Sequence, residues 1–565
     1  MMKSTKASMP NCKKYRQFPM IPLENRQWPN KMIQKAPIWV SSDLRDGNQS
    51  LEVPMSLEQK LEFFDFLVKM GFKTIEISFP AASDTEFQFT RYLIEHDLIP
   101  DDVAIQVLTQ SRDHIIEKTF EALKGAKNAV VHLYNSTSTL QREVVFQFSK
   151  QQCIDLAVYG AKKIKEFIDQ DTSDTNWILE YSPESFSGTE MDFAVEICDA
   201  VLDVWQPTVE KKAIINLPNT VEMSTANSYA DQVEYYCTHT KWRPQTIVSL
   251  HPHNDRGTAT AATELGLMAG GERVEGCLFG NGERTGNADI LNLAMNLYSQ
   301  GIDPELDFTN IDEVTRVYEA CTGMEVSPRH PYAGKLVYTS FSGSHQDAIN
   351  KGMAKMAKDS QWWEIPYLPI DPKDVGRTYE PIIRINSQSG KGGVAFILEH
   401  NFGMLLPKPV QQEFSKLCTK VSDASHKELM PQEIFELFDQ EYINVKEPIC
   451  LKSHSEQMLG EKEVGVEVVI TNSGKEQLIK GNGNGLLDGF MNGLKAQTGI
   501  SGEIQLYSQH ALTSGTEALA VSYVQIQSEG QLYTGVGISS NVSKSALRAV
   551  ISAVNRMLKE KSEQQ

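Results

Sequence analysis

Between about residues 37 and 300 the chain alternates short β-branched apolar runs with longer stretches whose apolar positions recur every three or four residues, the pattern of repeated strand–helix units. Eight runs read as strands. They are IWVSSDL from Ile38, FKTIEIS from Phe72, VAIQVLT from Val103, AVVHLYN from Ala129, NWILEYS from Asn176, KAIINLP from Lys212, TIVSLHP from Thr246 and RVEGCLF from Arg273. The segments between them carry helix signals, as in SLEQKLEFFDFLVKM, where Ser56 and Gln59 have the spacing of a capping box. Eight units in about 260 residues fit a TIM (β/α)8 barrel. A doubly wound sheet would call for a Gly-rich phosphate loop after its first strand, and none follows Ile38.

Past Gly301 the alternation weakens into helical stretches and the run WWEIPYLPIDPKDVGR, where Pro366, Pro369 and Pro372 forbid a continuous helix. From about residue 430 a pattern occurs twice: a strand pair and helix in VEVVITNSGKEQLIKGNGNGLLDGFMNGL, then again in LAVSYVQIQSEGQLYTGVGISSNVSKSALRAVISAVNRM. In each copy the strand ends in glycines, Gly481 to Gly485 and Gly535 to Gly537, which read as a tight turn; GNGNG lacks the spacing of a dinucleotide loop. The expected organisation is an N-terminal extension over 1–36 and a barrel over 37–303. A helical connecting subdomain over 304–429 and an α+β domain with an internal repeat over 430–565 complete it.

Composition narrows this little. A chain of 565 residues exceeds the roughly 300 that one core supports, and 41% hydrophobic with 22% charged residues is ordinary for a folded protein. A net charge of -19 argues against nucleic acid and anionic membranes as partners, so an anionic ligand needs a local basic pocket. The eight scattered cysteines form no C-x-x-C pair, which fits a reducing cytoplasm. The basic N-terminal stretch, with Lys3, Lys6 and Lys13, lacks the apolar segment of a signal peptide and reads as a surface extension.

Barrel enzymes build their sites at the C-terminal ends of the strands, and polar residues converge there. The first strand ends in SDLRDGNQS, which places Arg45 and Asp46 at the rim; the second carries Glu76, the fourth His132, the fifth Glu180 and the sixth Thr220. The seventh ends in HPHND. Strand side chains alternate, so His251 and His253 share a face, and Pro252 between them fits only a strand end. After the eighth strand, GNGERTGN allows a loop to fold over the mouth and present Glu283, Arg284 and Asn287. Two imidazoles, the Asp46 carboxylate and an amide oxygen make a donor set suited to Mg2+, Mn2+ or Zn2+.

Together SDLRDGNQS, HPHNDRGTA and FGNGERTGNADI resemble the signatures of the acyl-CoA condensing family that includes isopropylmalate, homocitrate and citramalate synthases. NLPNTVE, FSGSHQDAINKG, PYLPIDPKDVGRTYEPIIRINSQSGKGG and the C-terminal repeat are similar to the long-form 2-isopropylmalate synthases, and the resemblance spans nearly residues 30 to 560. It implies the same barrel and assigns the metal, Mg2+ first, to Asp46, His251, His253 and Asn287. It assigns the 2-oxo acid, 3-methyl-2-oxobutanoate, to Arg45, His132 and Thr220, and points Glu180 at its reacting oxygen. Acetyl-CoA is the implied co-substrate, and its methyl must lose a proton to a base near neutral pH. His345, outside the barrel and supplied by a partner subunit, is the candidate, with Glu283 to orient it. Tyr367 matches a family tyrosine that approaches the site. The C-terminal domain resembles the one through which leucine inhibits the family in a homodimer. Ser539 stands where family members often carry an acid. Citramalate or homocitrate synthesis is the alternative activity, and a catalytically silent metal and amino-acid sensor the alternative class.

Overall fold

A computed structural model describes residue 14 and residues 16–340, 342–359, 362–381, 391–425, 429–460, 462–512 and 518–563. Lys3, Lys6 and Lys13 of the basic N-terminal stretch, and residues 382–390 of the long motif, lie outside the described residues. By contacts the chain forms two units, one comprising residues up to Tyr338 with Ile370–Thr378, the other Thr339–Pro369 with Tyr379–Gln565.

The first unit holds a closed barrel of eight parallel strands in sequence order, the architecture that the alternation predicts. The strands are β1 (Ile38–Ser41), β2 (Thr74–Ser78), β3 (Ala104–Gln110), β4 (Asn128–Ser136), β5 (Asn176–Glu184), β6 (Ala213–Asn219), β7 (Thr246–Pro252) and β8 (Arg273–Gly276). β1 closes on β8, with Ile38 against Arg273 and Ser41 against Gly276. The intervening helices are α1 (Leu57–Lys69), α2 (Asp84–Glu95), α3 (Asp113–Leu123), α4 (Lys150–Gln170), α5 (Met191–Trp205), α6 (Ala226–His239), α7 (Ala259–Met268) and α8 (Ile290–Tyr298). Ser56 caps α1 with the predicted box, its hydroxyl accepting from the Gln59 amide while the Gln59 side chain bonds the Ser56 amide. A further helix, α9 (Ile311–Thr322), belongs to the same unit.

Alternation along the strands sorts the residues by face. Ile75, Ile77, Ile105, Val107, Val131, Leu133, Leu179, Ile215, Leu217 and Leu250 are fully buried apolar positions. Between them in sequence stand Glu76, Gln106, His132, Glu180, Asn216 and His251, also buried. Register pairs Glu76 with Gln106, His132 with Glu180 and Pro218 with His251. Hydrogen bonds between non-adjacent strands, such as Gln106 on β3 and Asn216 on β6 to Glu275 on β8, place this polar set in the barrel interior.

In the second unit β9 (Thr339–Ser340) pairs with β10 (Glu380–Pro381), and α10 (Gly343–Asp359), α11 (Lys391–Phe402), α12 (Lys408–Ser425) and α13 (Pro431–Tyr442) follow in the chain. Then come β11 (Ile449–Met458), β12 (Val464–Asn472), β13 (Lys475–Gly483) and α14 (Leu486–Thr498), repeated as β14 (Glu503–Ala511), β15 (Ala520–Ser528), β16 (Gln531–Ser539) and α15 (Val542–Glu563). Each copy thus has three strands rather than the two expected. The strands missed, β11 and β14, are sheet edges: β11 is mostly exposed and polar, and β14 alternates only briefly, at Ile504 and Leu506, so neither carries the sustained apolar alternation that marks the others. Val466, Val468, Ile479 and Phe490 of the first copy share one core with Val524, Ile526, Leu547 and Val550 of the second. Val521, Tyr523 and Val536, on the other face of the second sheet, pack with Leu398, Phe414, Phe438 and Tyr442 of α11, α12 and α13.

Of the glycines read as a turn, Gly485 does lie in the bend before α14, but the others do something else. Gly481 lies within β13 and Gly535 and Gly537 within β16, where α14 and α15 press on the strand backbone; a Cβ on Gly535 would overlap the Ala549 carbonyl oxygen. Glycine is required there for close approach of backbone to backbone, a relation between elements that local spacing does not reveal. Gly535→Ala is therefore expected to destabilise the second unit by about 2 kcal/mol or more. Thermal melting followed by circular dichroism, with Gly460→Ala at an exposed, open position as control, checks this; an unchanged transition would refute the close packing.

Candidate metal centre and active site

The chain leaves β1 through a wide helical turn over Asp43–Gly47, which sets Arg45 and Asp46 at the rim. Asp43 anchors the turn, accepting from the Ser41 hydroxyl at 2.8 Å and from the Leu278 amide at 3.1 Å, and burial raises its carboxyl to about 7. Lys60 of α1, fully buried, donates to the Leu44 carbonyl at 3.1 Å and pairs with Glu86. Opposite, β7 ends at Pro252, which leaves His251 and His253 on one face with ring centroids 5.4 Å apart.

The glycine loop after β8 folds back onto the end of β7. The Ala288 amide donates to the Pro252 carbonyl at 2.8 Å, the Asn254 amide to Gly286 at 2.9 Å, and Asn287 bridges to His253. Gly286 has φ 98°, and a Cβ there would strike the Gly280 carbonyl oxygen, so the loop needs glycine at this point.

These elements bring Asp46, His251, His253 and Asn287 together as the sequence expects. Asp46 Oδ2 lies 3.4 Å from His251 Nε2, 3.8 Å from His253 Nε2 and 2.8 Å from Asn287 Nδ2. All four residues are buried. One ligand atom each of Asp46, His251 and His253 falls within 4.8 Å of the others. In one respect the arrangement differs from the expectation: facing a carboxylate, the Asn287 amide presents its donor nitrogen rather than its oxygen. Asn287 Oδ1 and His253 Nδ1 remain buried without hydrogen-bond partners among the described residues. A carboxylate, two imidazoles and an unpartnered amide oxygen form a donor set that a divalent cation fits.

The cluster opens into a cavity of about 230 Å3 lined also by Arg45, Leu108, His132, Tyr134, Ser182, Pro218, Thr220 and Glu283. Arg45 donates from Nε to Glu76 Oε2 at 2.8 Å and lies 3.1 Å from Asp46 Oδ1, and it stays fully charged because these acids outweigh burial. His132 bonds Glu76 through Nδ1 at 2.8 Å and the Ser182 hydroxyl through Nε2 at 2.7 Å; its Nε2 is 3.5 Å from Glu180 Oε1. Glu180 is fully buried. Burial, with Glu275 and Glu76 nearby, pushes its carboxyl well above the ordinary range against the pull of Arg273. Thr220 accepts from the Ser185 amide at 2.8 Å, and its carbonyl receives Arg284, which also pairs with Asp255 at 2.6 Å. Glu283 accepts from Gln49 at 3.3 Å.

His345 and Tyr367 belong to the second unit, where both are exposed and their rings stack at 4.0 Å. Sequence reasoning missed the inner partners Gln106, Ser182, Asn216, Arg273 and Glu275. For Gln106, Asn216 and Glu275 the signal was there, since each is a polar residue following an apolar one within a strand, but partners on other strands are invisible locally.

Residues 36–317 match the family described as HMGL-like, the class of barrel to which this fold and site belong. Residues 335–399 match the alpha-isopropylmalate synthase post-catalytic domain, and residues 428–558 the LeuA allosteric (dimerisation) domain. A protein named 2-isopropylmalate synthase from Acetoanaerobium sticklandii is 60% identical over 97% of this chain and 97% of its own length. Its namesake from Clostridium acetobutylicum is 54% identical over 96% of this chain and 99% of its own. The chain belongs to the 2-isopropylmalate synthase family, and as such it is an acyltransferase. Among the described residues no helix is long and apolar enough to cross a membrane.

The two imidazoles differ in charge. Burial opposes protonation of His251, but its bonds to Asp46 and Glu275 win and raise it to about 9; burial lowers His253 to about 4. Since the folded value of His251 lies above the ordinary 6.5 or so, its charge favours the folded metal-free protein in full below about pH 6.5, and that contribution fades as pH rises through about 9. Imidazole resonances of metal-free protein are expected to show one midpoint near pH 9 and one near 4, assigned by His251→Gln and His253→Gln. Two midpoints near 6.5 would contradict this electrostatic arrangement.

Proposed function

We propose that the chain joins the methyl carbon of acetyl-CoA to the ketone carbon of 3-methyl-2-oxobutanoate and then hydrolyses the thioester, releasing (2S)-2-isopropylmalate and CoA at the first committed step of leucine synthesis. The observation that carries this reading is the 60% identity to a 2-isopropylmalate synthase over 97% of both chains. A buried donor cluster facing a cavity suited to a small organic acid supports it.

In this reading Asp46, His251, His253 and Asn287 hold a divalent cation, Mg2+ before Mn2+ or Zn2+. When bound, the cation polarises the 2-oxo group as a Lewis acid. Arg45, already charged at the rim, receives the substrate carboxylate, and His132 and Thr220 position the acid from the cavity wall. Glu180, kept neutral by burial, acts as a hydrogen-bond donor toward the oxygen on which charge develops. His345 takes the proton of the acetyl methyl, Glu283 orients its ring, and Tyr367 moves with it through their stacking. The second unit of one protomer in a homodimer delivers this pair to the partner's barrel. The functional division follows as a catalytic barrel over 37–303, a connecting subdomain over 304–429 and a leucine-responsive domain over 430–565, in a cytoplasmic enzyme.

Release of CoA thiol from acetyl-CoA with Mg2+ or Mn2+ tests the reading across 3-methyl-2-oxobutanoate, pyruvate and 2-oxoglutarate. The branched acid is expected to be strongly preferred. Asp46→Ala and His251→Ala are each expected to lower kcat by about 100-fold or more. Preference for another acid would move the activity to citramalate or homocitrate synthesis. No release with any acid would sink the enzyme assignment in favour of a sensor.

A further inference from the structure

Beneath the cavity, the barrel interior holds charges to which the proposed reaction gives no part. Glu275 of β8 is fully buried and accepts from four side chains. Its Oε2 lies 2.7 Å from His251 Nδ1 and 3.2 Å from Asn216 Nδ2; its Oε1 receives Arg273 Nη1 and lies 3.4 Å from Gln106 Nε2. Arg273, equally buried, also reaches Glu180 Oε2 at 3.1 Å, Ser249 Oγ at 2.9 Å and Gln106 Oε1 at 2.5 Å.

An imidazole bonded at Nδ1 to a carboxylate keeps its proton on that nitrogen when neutral, leaving the Nε2 lone pair free. Nε2 of His251 is the atom that faces Asp46. His253 has no such anchor, because its Nδ1 is buried without a partner among the described residues. The two histidines of the cluster are therefore held unequally. The ring with a carboxylate behind it is fixed from the barrel interior, and the other rests on the glycine loop.

We propose that Glu275 is a positioning residue that locks His251 with Nε2 facing Asp46 and His253, and that Arg273 holds Glu275 in place, so that metal affinity depends on a carboxylate that never touches the metal. This rests on the reading of the cluster as a cation site. Arg273 has the matching part: it neutralises Glu275 without competing for Oε2, and its second branch ties Gln106 across the barrel, so the carboxylate cannot swing away from the ring.

The test compares Mn2+ dissociation constants, measured on the full chain by calorimetry or electron paramagnetic resonance, for the wild type, Glu275→Gln and Glu275→Asp, with thermal melting to establish that each is folded. Gln keeps the volume but offers a single acceptor oxygen to four donors. Asp keeps the charge for Arg273 but withdraws it from His251 by one methylene. Both are expected to weaken Mn2+ binding by about 10- to 100-fold. Wild-type affinity in either folded variant would overturn the proposal, as would loss in Gln with full retention in Asp, which would make charge rather than position the cause. Failure of the wild type to bind Mn2+ would instead remove the metal reading beneath it. Nitrogen shifts of His251 in metal-loaded wild-type protein decide the matter if neither variant folds: a proton on Nδ1 supports the lock, and one on Nε2 overturns it.

Discussion

Charge sealed inside the barrel is the constraint on which the rest of the site depends. Barrels of this architecture usually fill their interior with branched aliphatic layers. Here Glu76, Gln106, His132, Glu180, Asn216, Arg273 and Glu275 take those places, all buried. A charge left unpaired in that setting costs several kcal/mol, so each charged group must be met by another. Arg45 meets Glu76, Arg273 meets Glu180 and Glu275, and burial, with Glu275 and Glu76 nearby, pushes the Glu180 carboxyl up. The donors at the rim thus stand on a floor whose charged members are paired with one another.

The sequence made the barrel legible because its strands carry apolar residues on the face toward the helices and polar ones on the inner face, with breaks at regular spacing. The rim donors were legible for a related reason. Asp46 follows a strand end, His251 and His253 flank a proline that only a strand end tolerates, and Asn287 lies among glycines. The inner partners were not. Glu275 stands out in RVEGCLF as an acid within an apolar strand, but nothing nearby in sequence reveals His251 or Asn216 as its partners. The edge strands β11 and β14 escaped because edges need little apolar alternation, and Gly535 misled because its cause is a helix whose Ala549 and Ala553, fourteen and eighteen residues on, press on the strand.

The repeated module is not self-contained. β15 is buried along nearly its whole length because α14 and α15 share a core with one face of its sheet, while α11 to α13 cover the other. Glu413 of α12 accepts from Thr534 of β16 and pairs at 2.8 Å with Arg556 of α15, whose guanidinium lies 4.0 Å over the Tyr442 ring. Any displacement of β16 must therefore be accommodated by α12 and α13, because packed cores transmit strain rather than absorb it.

His132 and Asn216 belong both to the polar floor and to the cavity wall, but part of the wall lies outside the floor's network. Leu108, Tyr134 and Pro218 line the cavity. The Tyr134 hydroxyl accepts from Gln110 at 2.6 Å, and Leu108 and Pro218 carry no charge to balance. Exchanges on the wall change volume and shape one residue at a time, whereas an exchange in the floor leaves several charges without partners at once. Such a molecule is evolvable in one direction and frozen in the other: the wall is free to change by small steps through viable intermediates, while the charged floor is inherited whole.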